Sequence, residues 1–248
     1  MSKVILPAAC TTTDHAGHLT NRYRHVPTKQ IIDLMAEEGF VVAGASSRAA
    51  RGPGAVYGKH MVDFRLPDAQ EIEGCVPRIL FINSHDGSTS ARTVAGLIRF
   101  VCSNGLVVGS NVVENSRTRH IGDDAANLID RMKRLAKNTA PMFEQIERWS
   151  KTELTEAKMR DFALFASTMR WDDPNRFSAD DLLKVRRPED EGRSLWRVFN
   201  RVQENIVQGG LTGILPTGRQ TTTRPLLEVG ANVQFNAELW ALAEEFAG

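Results

Sequence analysis

Apolar residues in the first part of the chain are clustered or alternate with polar ones in short runs. Phe40–Ala45 is one apolar run, His60–Leu66 alternates polar and apolar residues, and Ile79–Ile82 is a third run. Runs of this length are typical of β-strands, and alternation indicates a strand with one face buried. The pattern therefore predicts a small antiparallel sheet of three strands.

Apolar residues also recur at helical spacing on both sides of these strands. Before them, the recurring residues are Ile31, Ile32, Leu34 and Met35; after them, they are Val94, Leu97, Ile98 and Val101. The first set predicts a helix that begins near Val26 and stops at Gly39. The second predicts a helix from Ser90 to Ser103 that packs behind the sheet. Within the preceding polar stretch, Asp86-Gly87 is assigned to a turn and Ser88 to the helix cap.

The chain beyond residue 122 is predicted to be mainly helical. A long amphipathic segment runs from Asp123 to Trp149, and its apolar residues lie on one stripe. Further helices are predicted over Thr152–Met169, Ser194–Val207 and Phe235–Phe246, with a short one capped by Ser178. Two tryptophans, Trp196 and Trp240, fall on apolar helix stripes and are expected to pack in a core rather than to stack on bases.

These elements together predict an α+β fold. Its core has the order β-β-β-α, a small antiparallel sheet backed by a long helix, and a helical C-terminal region follows it. Three segments are expected: an N-terminal arm over 1–25, an α+β core domain over 26–122, and the helical region over 123–248. The stretch from strand 79–82 to Gly109 is the expected centre of the fold and of any site.

Composition excludes some classes of protein. The 248 residues carry a formal charge of only +1, so net charge does not by itself indicate a nucleic-acid partner. No apolar run reaches the roughly 18–20 residues that span a bilayer. Three cysteines without a signal peptide predict a reducing, cytoplasmic setting. No phosphate-binding loop of the nucleotide-hydrolase type is found, and no cofactor is expected.

Lysine and arginine outnumber acidic residues between Val41 and Gly122, and the acids there lie largely in one loop. A groove in this segment could therefore be locally positive, and planar guanidinium groups suit phosphate contacts. Because Arg92 and Arg99 are seven residues apart on the predicted helix, they should share one of its faces. The alternative is a solvated surface with ordinary salt bridges. The candidate nucleic-acid-binding residues are Arg48, Arg51, Lys59, Arg92, Arg99, Arg117, Arg119 and His120.

Two longer stretches carry a resemblance to a known family. They are INSHDGSTSARTVAGLIRFVCSNGLVVG, which begins at Ile82, and LWRVFNRVQENIVQGG, which begins at Leu195. With them the chain, from about Val26 to about Trp240, resembles the phage/plasmid-like protein family known as domain of unknown function 932. The resemblance implies a prophage, phage or plasmid in a bacterium, and it implies no established chemistry.

A second resemblance rests on the order of the predicted elements. The predicted order over Thr28–Gly109 is a helix, three strands and a long helix. This order is similar to the core of single-strand annealing recombinases of the Rad annealing, Erf and Sak types. That likeness implies a homo-oligomeric ring or filament that holds single-stranded DNA in an outer basic groove. The expected function is therefore nucleotide-independent binding and annealing of single strands in homologous recombination. A host single-strand-binding protein is a possible further partner.

Three other interpretations remain open at this stage. The protein could bind a host protein and so counter a defence or restriction system. It could be a small enzyme that uses His85, Asp86 and Cys102, although neighbours in sequence do not make a catalytic site. Cys10, His15, His18 and His25 could bind a metal, but their spacing is not that of a standard zinc site, and a polar arm is the default.

Overall fold

A computed structural model of the protein describes residues 4–20, 23, 25–47, 52–69, 71–99, 116–118, 129–130, 132–134, 140–171, 173, 176–215 and 217–248. The chain forms two compact units. The first consists of Met1–Glu71, Val76–Gly96 and Asn111–Thr139. The second consists of Ala140–Gly248 with the short pieces Ile72–Cys75 and Leu97–Ser110.

The first unit is built on a sheet whose strand order follows the chain, β1-β2-β3-β4-β5. The strands are β1 (Val41–Ser47), β2 (His60–Arg65), β3 (Cys75–Asn83), β4 (Ala91–Arg99) and β5 (Ser116–Thr118). Strand pairs β1–β2, β2–β3 and β4–β5 are antiparallel. Together with the helices described below, this sheet confirms the predicted α+β class and its first three strands.

Strand β2 shows the alternation that its sequence predicts. His60, Val62 and Phe64 are buried, and the residues between them are half-buried. The register sets His60 opposite Asn83 on β3, which is itself buried along almost its whole length. A central strand is covered on both faces, so its sequence is a continuous apolar run rather than an alternating one.

Two helices precede the sheet, α1 (Ala8–Thr11) and α2 (Thr28–Glu37). The second confirms the helix predicted between Val26 and Gly39. Its buried residues Thr28, Ile31 and Met35 lie on one face, as the apolar spacing requires. A 3₁₀ turn, Pro53–Tyr57, lies between β1 and β2.

The helix predicted from Ser90 to Ser103 is wrong over its described part, because Ala91–Arg99 is strand β4. The spacing of Val94, Leu97 and Ile98 fits a helix, but short apolar stretches fit a strand equally well. Gly96 weakens a helix at its centre, and pairing with a neighbouring strand decides the outcome. Ser88 is therefore not a helix cap. Residues 100–115, including the predicted helix stop at Gly105, lie outside the described residues.

The second unit is mainly helical. Its helices are α3 (Ala140–Lys151), α4 (Glu156–Thr168), α5 (Ala179–Leu182), α6 (Leu195–Gln208) and α7 (Val229–Ala247). Strands β6 (Thr212–Ile214) and β7 (Gln220–Thr222) form a hairpin between α6 and α7. Thr155 and Ser178 cap α4 and α5 through their hydroxyl groups. Helix α7 begins six residues before the predicted start at Phe235.

The core of the second unit is aromatic, as the placement of Trp196 and Trp240 on apolar stripes predicts. Both are buried with Trp149, and the ring centroids of Trp149 and Trp240 are 4.5 Å apart. The indole Nε1 of Trp240 donates to Gln145 Oε1 at 3.1 Å, so the polar edge of the ring is satisfied. In the part of the chain that the structure describes, no helix combines the length and apolar character needed to cross a membrane.

Candidate functional site

The turn after β3 holds the N-terminal arm, of which residues 4–20, 23 and 25 are described. Ala16 N donates to His85 O at 2.9 Å, and the ring Nε2 of His85 lies 3.0 Å from Ala9 O. The hydroxyl of Tyr23 donates to Ser84 O at 3.2 Å. The described residues of the arm are therefore fastened to the SHDG part of the sequence motif by hydrogen bonds at several separate points.

Gly87 in this turn lies next to the arm. Its φ of +76° is one that residues with a Cβ rarely adopt, and a Cβ there would lie 2.9 Å from Leu19 Cδ2. Asp86 accepts the backbone N–H of Ser88 at 2.9 Å, which is the turn that the Asp-Gly pair predicts. Burial raises the pKa of Asp86, but hydrogen bonds from Ser88 and Ser84 outweigh burial and leave that pKa below its ordinary value.

His85 is the centre of a histidine cluster made of His15, His25, His60 and His85. His25 Nε2 and His85 Nδ1 are 2.9 Å apart. The ring centroids of His60 and His85 are 4.7 Å apart, and those of His15 and His25 are 5.6 Å apart. From the sequence, His15 and His25 are candidate metal ligands only, and their proximity to His60 and His85 was not predicted.

His60 joins the cluster to helix α2. Thr28 Oγ1 donates to His60 Nε2 at 2.7 Å, and His60 Nδ1 donates to Gly58 O at 2.9 Å. Asn83 Nδ2 donates to Thr28 Oγ1 at 3.1 Å. Burial lowers the pKa of His60, while the hydrogen bond to Gly58 O and the charge of Asp86 act in the opposite direction and do not cancel it. A neutral His60 thus links the start of α2 to strands β2 and β3.

The structure gives no support to a catalytic role for His85. Its side chain is fully buried, and both ring nitrogens are hydrogen-bonded within the fold. A general base needs to reach the proton that it removes from a substrate. Cys102, the other chemically reactive residue of that interpretation, lies outside the described residues.

The four residues considered as metal ligands do not converge. Cys10 is buried on α1, where burial raises the pKa of its thiol to about 11. His18 is exposed, and its Nε2 donates to Asp86 O at 3.3 Å. Among the described residues, no three His, Cys, Asp or Glu side chains are placed to hold a metal ion.

Half of the candidate nucleic-acid-binding residues can be placed on the fold. Lys59 directly precedes β2, Arg92 and Arg99 lie on β4, and Arg117 lies on β5. Arg48, Arg51, Arg119 and His120 lie outside the described residues. Because positions seven apart in a strand fall on opposite faces, the helical argument that grouped Arg92 with Arg99 is wrong.

The sheet brings together a different pair, Arg92 and Arg117. They are direct partners in the register of β4 and β5, which puts the two positions on the same face of the sheet. Like charges directly opposite each other destabilise a strand pair. Among the described residues, the Nε atom of Arg92 is also buried without a hydrogen-bond partner. An anion at this place would accept that N–H group.

A buried ion pair on the same sheet was not foreseen from the sequence. Arg78 Nη1 donates to Asp63 Oδ2 at 3.1 Å, and both side chains are largely buried. Burial raises the pKa of Asp63 to about 6, although the charges of Arg78 and Arg65 lower it. The available signal was Arg78 at the start of an otherwise apolar run; its acidic partner on a neighbouring strand could not be read from spacing.

The NRVQEN part of the second motif is structural. It lies in α6, where Asn200, Gln203 and Asn205 are buried although they are polar. Gln203 Nε2 donates to Asn236 Oδ1 on α7 at 3.0 Å, and Asn205 Nδ2 donates to Leu182 O at 2.8 Å. Buried polar groups of this kind have to be paired, and here they fix how α6 sits among its neighbours.

Comparison with known proteins agrees with these motifs. A family model described as domain of unknown function, DUF932, matches residues 15–240. The chain belongs to the DUF932 family. The match begins within the arm and ends in α7, so it covers the histidine cluster, the sheet and most of the helical unit.

Two curated relatives of this DUF932 chain come from Escherichia coli (strain K12). They are the UPF0380 proteins YafZ and YfjQ, each 32% identical over 97% of this chain and 88% of the relative. No solved structure is significantly similar to it.

Proposed function

We propose that this protein binds single-stranded nucleic acid along the β4–β5 side of its sheet. The observation that carries the proposal is the direct opposition of Arg92 and Arg117 in the register of β4 and β5. Arginines of an ordinary solvated surface need not lie directly opposite each other, and two arginine positions on one face of the sheet suit contacts with adjacent phosphates. The buried and unpartnered Nε of Arg92 is a donor that a phosphate oxygen can satisfy.

We expect single strands to be preferred over duplex, because the proposed binding surface lies on a sheet. Helix α2 of the first unit turns its apolar face inward, and its Lys29 forms an i,i+4 pair with Asp33. It therefore offers no basic face of the kind that enters a major groove. Basic residues on a sheet instead hold the backbone of an extended strand.

The specific activity that we propose is annealing by a homo-oligomer without a nucleotide cofactor, in homologous recombination. Its support is weaker than that for binding, because β4 stands where the likeness to annealing recombinases expects a helix. A cytoplasmic location in a bacterial cell, on a phage- or plasmid-derived element, is part of the same proposal. Its E. coli relatives support the bacterial setting.

Binding of a host protein is the second candidate. Phe165 on α4 is 56% exposed, and its ring lies 6.4 Å from that of Phe246. Large exposed aromatic residues are enriched where proteins meet. A single aromatic pair is a smaller surface than a specific interface needs, so nucleic-acid binding remains the leading proposal.

The test is fluorescence anisotropy of the full chain with a labelled single-stranded oligonucleotide and with its duplex. We expect Arg92→Gln and Arg117→Gln each to weaken single-strand binding by about tenfold, the loss of about 1.4 kcal/mol. Arg219→Gln is the matched control, since Arg219 is an exposed arginine of the second unit. Thermal melting of each variant separates binding from folding.

Two results would overturn the proposal. One is the absence of binding to either nucleic acid at low salt by the wild-type protein. The other is equal loss of affinity in Arg219→Gln and in the two sheet variants, which would indicate contact through general charge rather than through β4–β5. Preference for duplex would retain nucleic-acid binding and reject annealing.

A further inference from the structure

The histidine cluster holds the arm through hydrogen bonds whose direction the structure dictates. Ala9 O can only accept, so His85 Nε2 carries a proton. In a neutral His85 the other nitrogen, Nδ1, is then an acceptor, and His25 Nε2 has to donate to it. The contact between arm and turn therefore exists in full when both imidazoles are neutral.

The donor and acceptor nitrogens of His60 can be assigned in the same way. Gly58 O accepts from His60 Nδ1, which leaves His60 Nε2 to accept from the Thr28 hydroxyl. Its ring lies against that of His85. The hydrogen-bond partners of His85 and His60 thus fit the neutral form of both imidazoles, and His25 donates to His85.

Positive charges added to this cluster by protonation repel one another. One proton on His85 Nδ1 can still be accommodated if His25 changes tautomer and accepts it. A second proton leaves two N–H groups facing each other across 2.9 Å and sets two like charges in a buried place. If a histidine is neutral in the closed state and charged in the open state, the closed state becomes less stable relative to the open state as the pH falls.

Asp86 is the described carboxylate that acts on this cluster, and its charge favours a protonated His60 without cancelling the effect of burial. The titratable groups on the described elements around His85 are Cys10, Asp14, His15, His18, Tyr23 and His25 of the arm, Tyr57, Lys59 and His60 before and in β2, and Asp86 of the turn. Asp86 is the carboxylate whose charge acts on His60 and Tyr23. Burial, and after it Asp86, raises the pKa of Tyr23 to about 12, so that tyrosine supplies no negative charge near neutral pH.

We propose that the histidine cluster is a pH-sensitive latch, which fastens the N-terminal arm to the turn after β3 near neutral pH and releases it on acidification. The latch is closed above the ordinary histidine pKa of about 6.5 and opens as the pH falls through it. Release removes the hydrogen bonds of Ala16, Tyr23 and His25 to the turn and uncovers the end of the sheet that they occupy.

Hydrogen exchange of the full chain, followed by NMR, tests the latch. The Ala16 amide, which donates to His85 O, reports the arm. The Leu195 amide, which donates to Thr152 O, reports the second unit. Between about pH 7.5 and pH 5.5 we expect the protection factor of Ala16 to fall by about tenfold or more, while that of Leu195 stays constant.

His25→Gln supplies the matched variant. Its amide can still donate to His85 Nδ1 but takes up no proton, so the protection of Ala16 should depend much less on pH. In His18→Gln, an exposed histidine of the same arm is changed, and the pH response should remain. Constant protection of Ala16 in the wild-type protein, or an undiminished pH response in folded His25→Gln, would overturn the latch. If His25→Gln does not fold, the wild-type result alone tests the latch.

Discussion

Arg187 and Glu204 form an ion pair in which the carboxylate is the more deeply buried partner. Arg187 Nη2 lies 2.9 Å from Glu204 Oε1, and the two side chains are 26% and 6% exposed. The Nε of Arg187 also donates to the same carboxylate, at 3.0 Å from Oε1. The pair connects the charged segment before α6 with the NRVQEN motif inside α6.

Removal of one partner should be costly. Arg187→Met leaves the Glu204 carboxylate buried without its cation, so we expect a loss of about 3 kcal/mol in the free energy of unfolding. Arg187→Met/Glu204→Met should cost less than the two single changes together, because no lone charge remains. Urea denaturation measures both. Additive losses would show that the pair does not act as a unit, and exposed Glu189→Gln is the control.

The close approach at Gly213 gives a second prediction. A Cβ at this position of β6 would lie 2.3 Å from Arg176 O and 2.6 Å from a ring atom of Phe177. Gly213→Ala should therefore destabilise the second unit by about 1–3 kcal/mol or more, through forced displacement of backbone. Gly210→Ala is the matched comparison, because only its φ of +79° opposes the substitution. A thermal melt in which Gly213→Ala is the milder change would contradict the structure.

Asp63 should make stability depend on pH in a defined window. Its pKa in the fold is about 6, against 3.8 as the ordinary value, so folding favours the protonated form. The contribution is fully present below pH 3.8 and is lost as the pH rises through about 6.

Comparison with Asp63→Asn isolates this effect. We expect the unfolding free energy of the wild-type protein, relative to that of Asp63→Asn, to fall by up to a few kcal/mol between about pH 4 and pH 6 and then to level off. Denaturant titrations over that range provide the measurement. A difference that rises with pH would mean that attraction to Arg78 outweighs burial of the carboxylate.

Salt dependence distinguishes nucleic-acid binding from binding of a protein partner. Each phosphate neutralised on a single strand should contribute about −0.7 to the slope of log K against log salt concentration. Arg92→Gln should therefore make the slope less steep by about that amount. A slope near zero in the wild-type protein would favour a protein partner instead.

The oligomeric state of the protein can be measured directly. A groove that is continuous enough to align complementary strands needs several copies of the chain in a closed ring or a filament. Light scattering of the protein, with and without single-stranded DNA, should then show a species larger than a monomer. A monomer under both conditions would remove the annealing mechanism but would leave binding by Arg92 intact.

The local pattern of apolar and polar residues was sufficient to predict much of the fold. The alternation in β2, the apolar run in β3 and the stripe of α2 each identify their element, because one buried face imposes a period of two or of 3.6 residues. The caps Thr155 and Ser178 likewise follow from hydrogen bonds within a few residues. These features depend on interactions between near neighbours in the chain.

The sequence by itself therefore determined the α+β class, the family and the type of most elements. Tertiary structure decided that Ala91–Arg99 is a strand, that Arg92 stands opposite Arg117, and that NRVQEN is buried. It also joined His25 to His85 across 60 residues. The physical reason is that register, burial and imidazole contacts depend on which distant segments pair, and no local period encodes that choice.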